Sequence, residues 1–118
     1  MVHDRFDSVF TLRLFFDKAG NLVKGVEEVS GTDTFINATT GQELTGRFRN
    51  NVLIDFTSEP PLGANTGIIF KVTVPGSGAV FLDVGRIVTD RSGEIITFQK
   101  GPHQFYDGDF AGLCAALA

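Results

Sequence analysis

The chain predicts an all-β domain: about eight antiparallel strands closed, or nearly closed, into a small barrel. Three observations lead there. Apolar and polar residues alternate, with Phe10, Leu12, Leu14 and Phe16 around Thr11 and Arg13, and Ile68, Phe70, Val72 and Val74 around Lys71 and Thr73. A period of two sends successive side chains to opposite faces of an extended strand. Such runs recur at roughly 8–12 residues, the spacing of a β-barrel or β-sandwich. Glycine-bearing turns separate them, and connections this short force antiparallel neighbours.

The alternation runs through residues 8–17, 21–29, 32–38, 43–49, 52–57, 66–74, 79–89 and 94–99. Asp17-Lys18-Ala19-Gly20 and Asp90-Arg91-Ser92-Gly93 both place Asp first and Gly fourth. That pattern suits a type I turn followed by a left-handed glycine. Thr39-Thr40-Gly41 has a related form. Val74-Pro75-Gly76-Ser77-Gly78 reverses the chain again, because proline has no N–H for a ladder and ends a strand. Residues 58–65, with Pro60, Pro61 and Gly63, read as an irregular crossing or a lid. After residue 99 the period changes. Phe110, Leu113, Cys114 and Leu117 fall on one helical face, with Asp109 placed as N-cap. So short a helix is unstable alone and must dock on the β core, closing one mouth of the barrel. Closure removes exposed edges, and an eight-stranded barrel holds side chains or one small ligand. A β-sandwich is the alternative.

At 118 residues the chain forms one domain, 1–118, and its 42% hydrophobic content marks it as folded rather than disordered. The net charge is −4, and the ten Lys and Arg residues are scattered. Nucleic-acid binding needs a basic stripe to displace phosphate counterions, so no such partner is expected. No apolar run approaches the roughly 18–20 residues of a bilayer span, so a soluble chain without membrane insertion is expected. The first residues are polar and carry no export signal. A processed chain would look the same, which leaves cytoplasmic and secreted locations both open. Cys114 is the only cysteine, so no internal disulfide forms. Its neighbours Leu113, Ala115 and Ala116 mark it as a small buried side chain rather than a reactive thiol.

Residues 79–89 are apolar on both faces, and each face carries one ionisable group. Arg86 accompanies Val80, Leu82, Val84 and Val88; Asp83 accompanies Phe81 and Ile87. Whichever face turns inward desolvates its charge: a buried Asp83 becomes a usable acid or base, and a buried Arg86 needs an acceptor. The favoured reading of either group is structural, an ion pair or an oligomer contact, because ion-pair networks also perturb pKa values. Residues 101–109 gather His103, Tyr106, Asp107 and Asp109. Histidine as a residue type has an ordinary pKa near neutrality, so His103 is a candidate for proton transfer, set against a structural role. Asp107 and Asp109 offer oxygen ligands, but a calcium loop needs several more, and turn and cap duties explain both. Two histidines and one cysteine do not suggest zinc. No phosphate loop, serine elbow or CxxC pair occurs, so neither metal nor cofactor is expected. Asn37-Ala38-Thr39 matches a glycosylation acceptor, relevant only to a eukaryotic secretory route.

Twelve Phe, one Tyr and no Trp form the compositional anomaly. The rings either fill the core or line a cavity for a hydrophobic small molecule. In the second case Phe10, Leu12, Leu14, Phe16, Phe70, Phe81, Phe98 and Tyr106 are the expected ligand contacts.

Phe16-Asp17-Lys18-Ala19-Gly20-Asn21-Leu22, Asn37-Ala38-Thr39-Thr40-Gly41, Val84-Gly85-Arg86-Ile87-Val88 and the run from Gly101-Pro102-His103-Gln104-Phe105 to Leu113-Cys114-Ala115-Ala116-Leu117 resemble a group of small, uncharacterised actinobacterial proteins. The resemblance spans most of the chain and implies no activity and no site residues; members of the group are often exported. Three functional readings follow. The leading one is a barrel that binds a hydrophobic small molecule without transforming it. The second is a barrel enzyme of cyclase, isomerase or hydrolase type, using Asp83, Arg86 and His103. It rests on fold analogy with lipocalin-like and allene-oxide-cyclase-like barrels. The third is a homo-oligomeric structural or interaction protein, with residues 79–89 as its interface.

Overall fold

A computed structural model describes residues 1–59, 62–90 and 92–118. The strands are β1 (Val2–Phe16), β2 (Leu22–Asn37), β3 (Glu43–Asp55), β4 (Leu62–Val74), β5 (Gly78–Asp90) and β6 (Ile96–Lys100). Two short helices follow, α1 (Gln104–Asp107) and α2 (Ala111–Leu117). The strands form one antiparallel sheet in the order β1-β2-β3-β4-β5-β6, each paired only with its chain neighbours. At about 3.4 Å per residue the longer strands run for roughly 45–55 Å. This accounts for the long dimension of 57 Å.

The expected barrel is not there. The sheet is open, with β1 and β6 as its edges. Closure would require β1, fifteen residues long, to pair with β6, which has five. Most of β1 would still face water.

Eight expected strands become six because two apparent breaks lie inside continuous ladders. Ser30 and Gly31 pair with Arg49 and Phe48 with no shift of register. Gly31 is there for close approach, not reversal: a Cβ would lie 2.1 Å from the Asp7 carbonyl oxygen and 2.7 Å from the Phe48 ring. Asn50 and Asn51 likewise sit within β3, beside the bulge where its register with β4 shifts. There the Asn50 side-chain N–H donates to the Ile68 carbonyl at 3.3 Å. At the ends, β1 starts at Val2 and β4 at Leu62, inside the stretch expected to be irregular. Pro60, Pro61 and the Arg91 of the last hairpin lie outside the described residues.

The turn chemistry is visible at the first hairpin. The Gly20 N–H donates to the Asp17 carbonyl at 3.0 Å, with Gly20 at φ 85°. The Asp17 carboxylate accepts from the Asn21 side chain and from the Ala19 and Asn21 N–H groups. These bonds, the Asn21 amide foremost, hold Asp17 below its ordinary pKa.

Both helices pack on one face of the sheet, here the inner face. Val72 lies opposite Gly46 on β3 and Phe81 on β5, and Phe35 opposite Leu44. Leu44, Val72 and Phe81 meet Leu113 and Leu117 of α2 to form the core. The helix differs in detail from expectation. Phe110 holds the N-cap position without a side-chain bond, and Asp109 contributes one long contact, accepting from the Ala111 N–H at 3.3 Å. Leu113 and Leu117 point inward, while Cys114 is exposed, not buried. The Asn37 amide is engaged at both ends: it donates to the Leu117 carbonyl at 3.2 Å and accepts from the Thr39 and Thr40 N–H groups. Among the described residues no helix is long and apolar enough to cross a membrane.

Candidate functional site: an aromatic cleft beside a buried Asp–His pair

The C-terminal segment does not lie flat on the sheet. Between it and the inner face runs a cleft of about 430 Å³. The floor comes from Phe35 of β2, Ile69 and Phe70 of β4, and Phe81 of β5; the roof is Phe105, Tyr106, Phe110 and Leu113. The rings hold one another in sequence. Phe35 meets Phe70 edge-on at 5.7 Å, Phe70 meets Phe81 at 5.8 Å, and Phe81 stacks on Phe110 at 5.4 Å with 17° between planes. Phe105 then meets Phe110 and Tyr106 edge-on. Edge-to-face and offset contacts of this kind satisfy the aromatic quadrupole and fix ring orientation. Gly46 makes the floor possible, since a Cβ there would lie 2.2 Å from the Phe70 ring.

One polar group interrupts the apolar lining. Asp33 sits on β2 opposite Phe6 of β1 and Gly46 of β3, and it lines the cleft. Its Oδ1 is buried and accepts no hydrogen bond. Burial, and secondarily the charge of Asp4, raises its pKa. Tyr106 is also perturbed upward, by burial first and then by Asp83, with a partial offset from the Asn65 amide. Asn65 Oδ1 is the other buried acceptor without a donor among the described residues. It lines a smaller hollow of about 200 Å³ that shares Tyr106 with the cleft.

Asp83 and His103 form a different kind of feature. They are 0% and 1% exposed, and Asp83 Oδ1 lies 2.8 Å from His103 Nδ1. The other carboxylate oxygen accepts the Phe105 N–H at 3.0 Å. His103 Nε2 lies 3.1 Å from the Lys100 carbonyl, which can only accept, so Nε2 carries a hydrogen. Both ring nitrogens are therefore used within the protein. The Val84 N–H donates to the Pro102 carbonyl at 2.9 Å, and Gln104 Oε1 accepts the Leu82 N–H at 2.6 Å. Together these bonds fasten the segment after β6 along β5, and so position Phe105, Tyr106 and Phe110 above the cleft.

The residues singled out from sequence are dispersed. Phe70, Phe81 and Tyr106 line the cleft. Phe10, Leu12, Leu14 and Phe16 lie on the edge strand β1, exposed. Phe98 is opposite Val88, on the outer face. Arg86 is exposed and flanked by Thr66 and Lys100, so it does not join Asp83 and His103. Asp33, Phe35, Phe105 and Phe110 were missed. Asp33 shares its alternation with Phe35 and Val29, a signal that marked it as inward-facing. The outer face carries its own hollow, about 510 Å³ and lined by polar groups including Glu28, Arg49 and Asn51, with no comparable aromatic surround. Compared with known protein families, curated proteins and solved structures, the chain matches none of them.

Proposed function

We propose that the chain binds a hydrophobic small molecule bearing a hydrogen-bond donor, such as a hydroxyl, in the aromatic cleft. The observation that carries this reading is the unpaired Asp33 Oδ1 in a lining otherwise made of rings and aliphatic side chains. A buried acceptor without a donor is costly, and a ligand hydroxyl that draws the Asp33 carboxylate round toward the cleft removes that cost. The cleft's size lies within the usual range for small-molecule sites, and one polar group among apolar walls is their usual chemistry. Nothing in the proposal requires the ligand to be transformed, because the Asp83–His103 pair has no nitrogen left to offer it.

Tyr106 is the only tyrosine and no tryptophan is present, so tyrosine emission reports on the cleft directly. Titration with 1-octanol should give a saturable change, and the methyl ether of matched length should bind about 3–10-fold more weakly, one hydrogen bond's worth. Asp33→Leu should erase that preference while keeping apolar binding. No saturation with either probe, or an unchanged preference in Asp33→Leu, refutes the proposal.

A further inference from the structure

We infer that β1 is a dimerisation strand: a second copy of this chain adds its own β1 antiparallel to the first, with the two-fold axis at Phe10. The surface adjoins the aromatic cleft only where Phe6 lies opposite Asp33, and the inference stands whether or not the cleft binds a ligand. Among the described residues, β1 has no neighbour on its outer side. Val2, Phe6, Val9, Phe10, Leu12, Leu14, Phe15 and Phe16 are all 41–71% exposed. Edge strands are normally guarded by lysine, proline or a short length, and β1 has none of these over fifteen residues. The side chains offer apolar surface on the order of several hundred Å², comparable with the ~800 Å² per partner of a standard interface.

The backbone shows which groups are free. The Ala38 N–H donates to the Met1 carbonyl at 3.0 Å, so Met1 points its polar groups toward β2. Register between β1 and β2 is unbroken from Val2 to Phe15. Alternation then turns the odd residues toward β2, and the N–H and C=O groups of Asp4, Phe6, Ser8, Phe10, Leu12 and Leu14 outward.

Charge selects the register. Centred on Val9, the pairing sets Arg5 against Arg13 of the other copy, two like charges face to face. Centred on Ser8, no opposite charges face each other; centred on Thr11, Arg5 meets Asp17, whose carboxylate is already engaged by its own turn. Centred on Phe10, Asp7 meets Arg13 twice, Phe6 meets Leu14 twice and the two Phe10 rings meet each other, while the mismatched pairs, Asp4 with Phe16 and Arg5 with Phe15, fall at the ends of the ladder. Arg13 already holds Glu28 at 2.9 Å and has donors to spare, whereas Asp7 has no ion pair among the described residues. The other free edge is a poor competitor. Pairing β1 with β6 of another copy would cover five residues and propagate without closing, whereas self-pairing closes at two.

The test uses the whole chain. Equilibrium sedimentation at micromolar concentration should give twice the monomer mass. Ser8→Pro removes an outward N–H while leaving the ladder to β2 intact, and should yield a folded monomer by circular dichroism. In a Cys114→Ser background, Phe10→Cys should form a disulfide between copies under mild oxidation. Opposite Cα atoms at a hydrogen-bonded antiparallel pair are about 5.5 Å apart, within disulfide reach. Leu12→Cys, whose opposite number is Ser8, should not. A monomeric wild type, a dimer that survives Ser8→Pro, or cross-linking through position 12 instead of 10 overturns the inference.

Discussion

Replacing Asp83 by alanine isolates what the buried pair contributes. The side chain is fully enclosed: Oδ1 shares a hydrogen bond of 2.8 Å with His103 Nδ1, and Oδ2 accepts the Phe105 N–H. The Phe105 N–H and the His103 ring nitrogen would both be stranded away from water, at about 1–3 kcal/mol each. Breaking one side of a buried pair costs about 3–5 kcal/mol in other proteins, which agrees. Against a total stability of about 5–15 kcal/mol for a domain, such a loss is large. Urea unfolding followed by far-ultraviolet circular dichroism should therefore show Asp83→Ala destabilised by about 3–5 kcal/mol. His103→Ala should cost a similar amount, and the double variant should fall short of the sum by about 1–3 kcal/mol, because the second loss removes a group already stranded. Hydrogen exchange in Asp83→Ala should rise first in residues 101–118. Either single variant within about 1 kcal/mol of wild type, or full additivity of the two, refutes the pair's structural role.

Gly46→Ala pushes a methyl into the Phe70 ring and should cost about 1–3 kcal/mol by overpacking, with loss of probe binding in the cleft. Unfolding curves and Tyr106 titrations read the two effects separately. Asp33 has a raised pKa in the fold, so folding disfavours its charged form. Its contribution to stability is most favourable below the ordinary value of 3.8 and is lost as pH rises through the folded value. Asp33→Asn should thus raise the melting temperature at neutral pH, with the gain shrinking below pH 3.8; a gain that grows on acidification contradicts the assignment. Phe81→Ala, which removes a ring 1% exposed from the stack with Phe70 and Phe110, should cost about 3–5 kcal/mol.

Local order was legible and global order was not. Alternation at Phe10–Phe16 and Ile68–Val74 located strands, because side-chain direction in an extended chain depends only on the residue count. Asp17-Gly20 announced its turn through side-chain chemistry confined to four residues. Gly31 and Asn50 misled because the reason for each lies on a neighbouring strand: a carbonyl at Asp7, a ring at Phe48, a bulge facing Ile68. Closure depends on two strands eighty residues apart in the chain, and no local pattern encodes it. Alternation puts Asp83 on the same face of β5 as Phe81, and both are buried. That His103 would meet Asp83, twenty residues away in sequence, followed only from the way the chain doubles back after β6.

Because every strand pairs with the one before it, the sheet can assemble in the order of translation, hairpin by hairpin. The segment that covers Val72 and Phe81 is the last of these elements to leave the ribosome. Until it does, the nascent polypeptide displays its oiliest patch beside an unpaired fifteen-residue edge. That interval, more than the finished fold, is when such a chain is most exposed to aggregation with its neighbours on the same polysome.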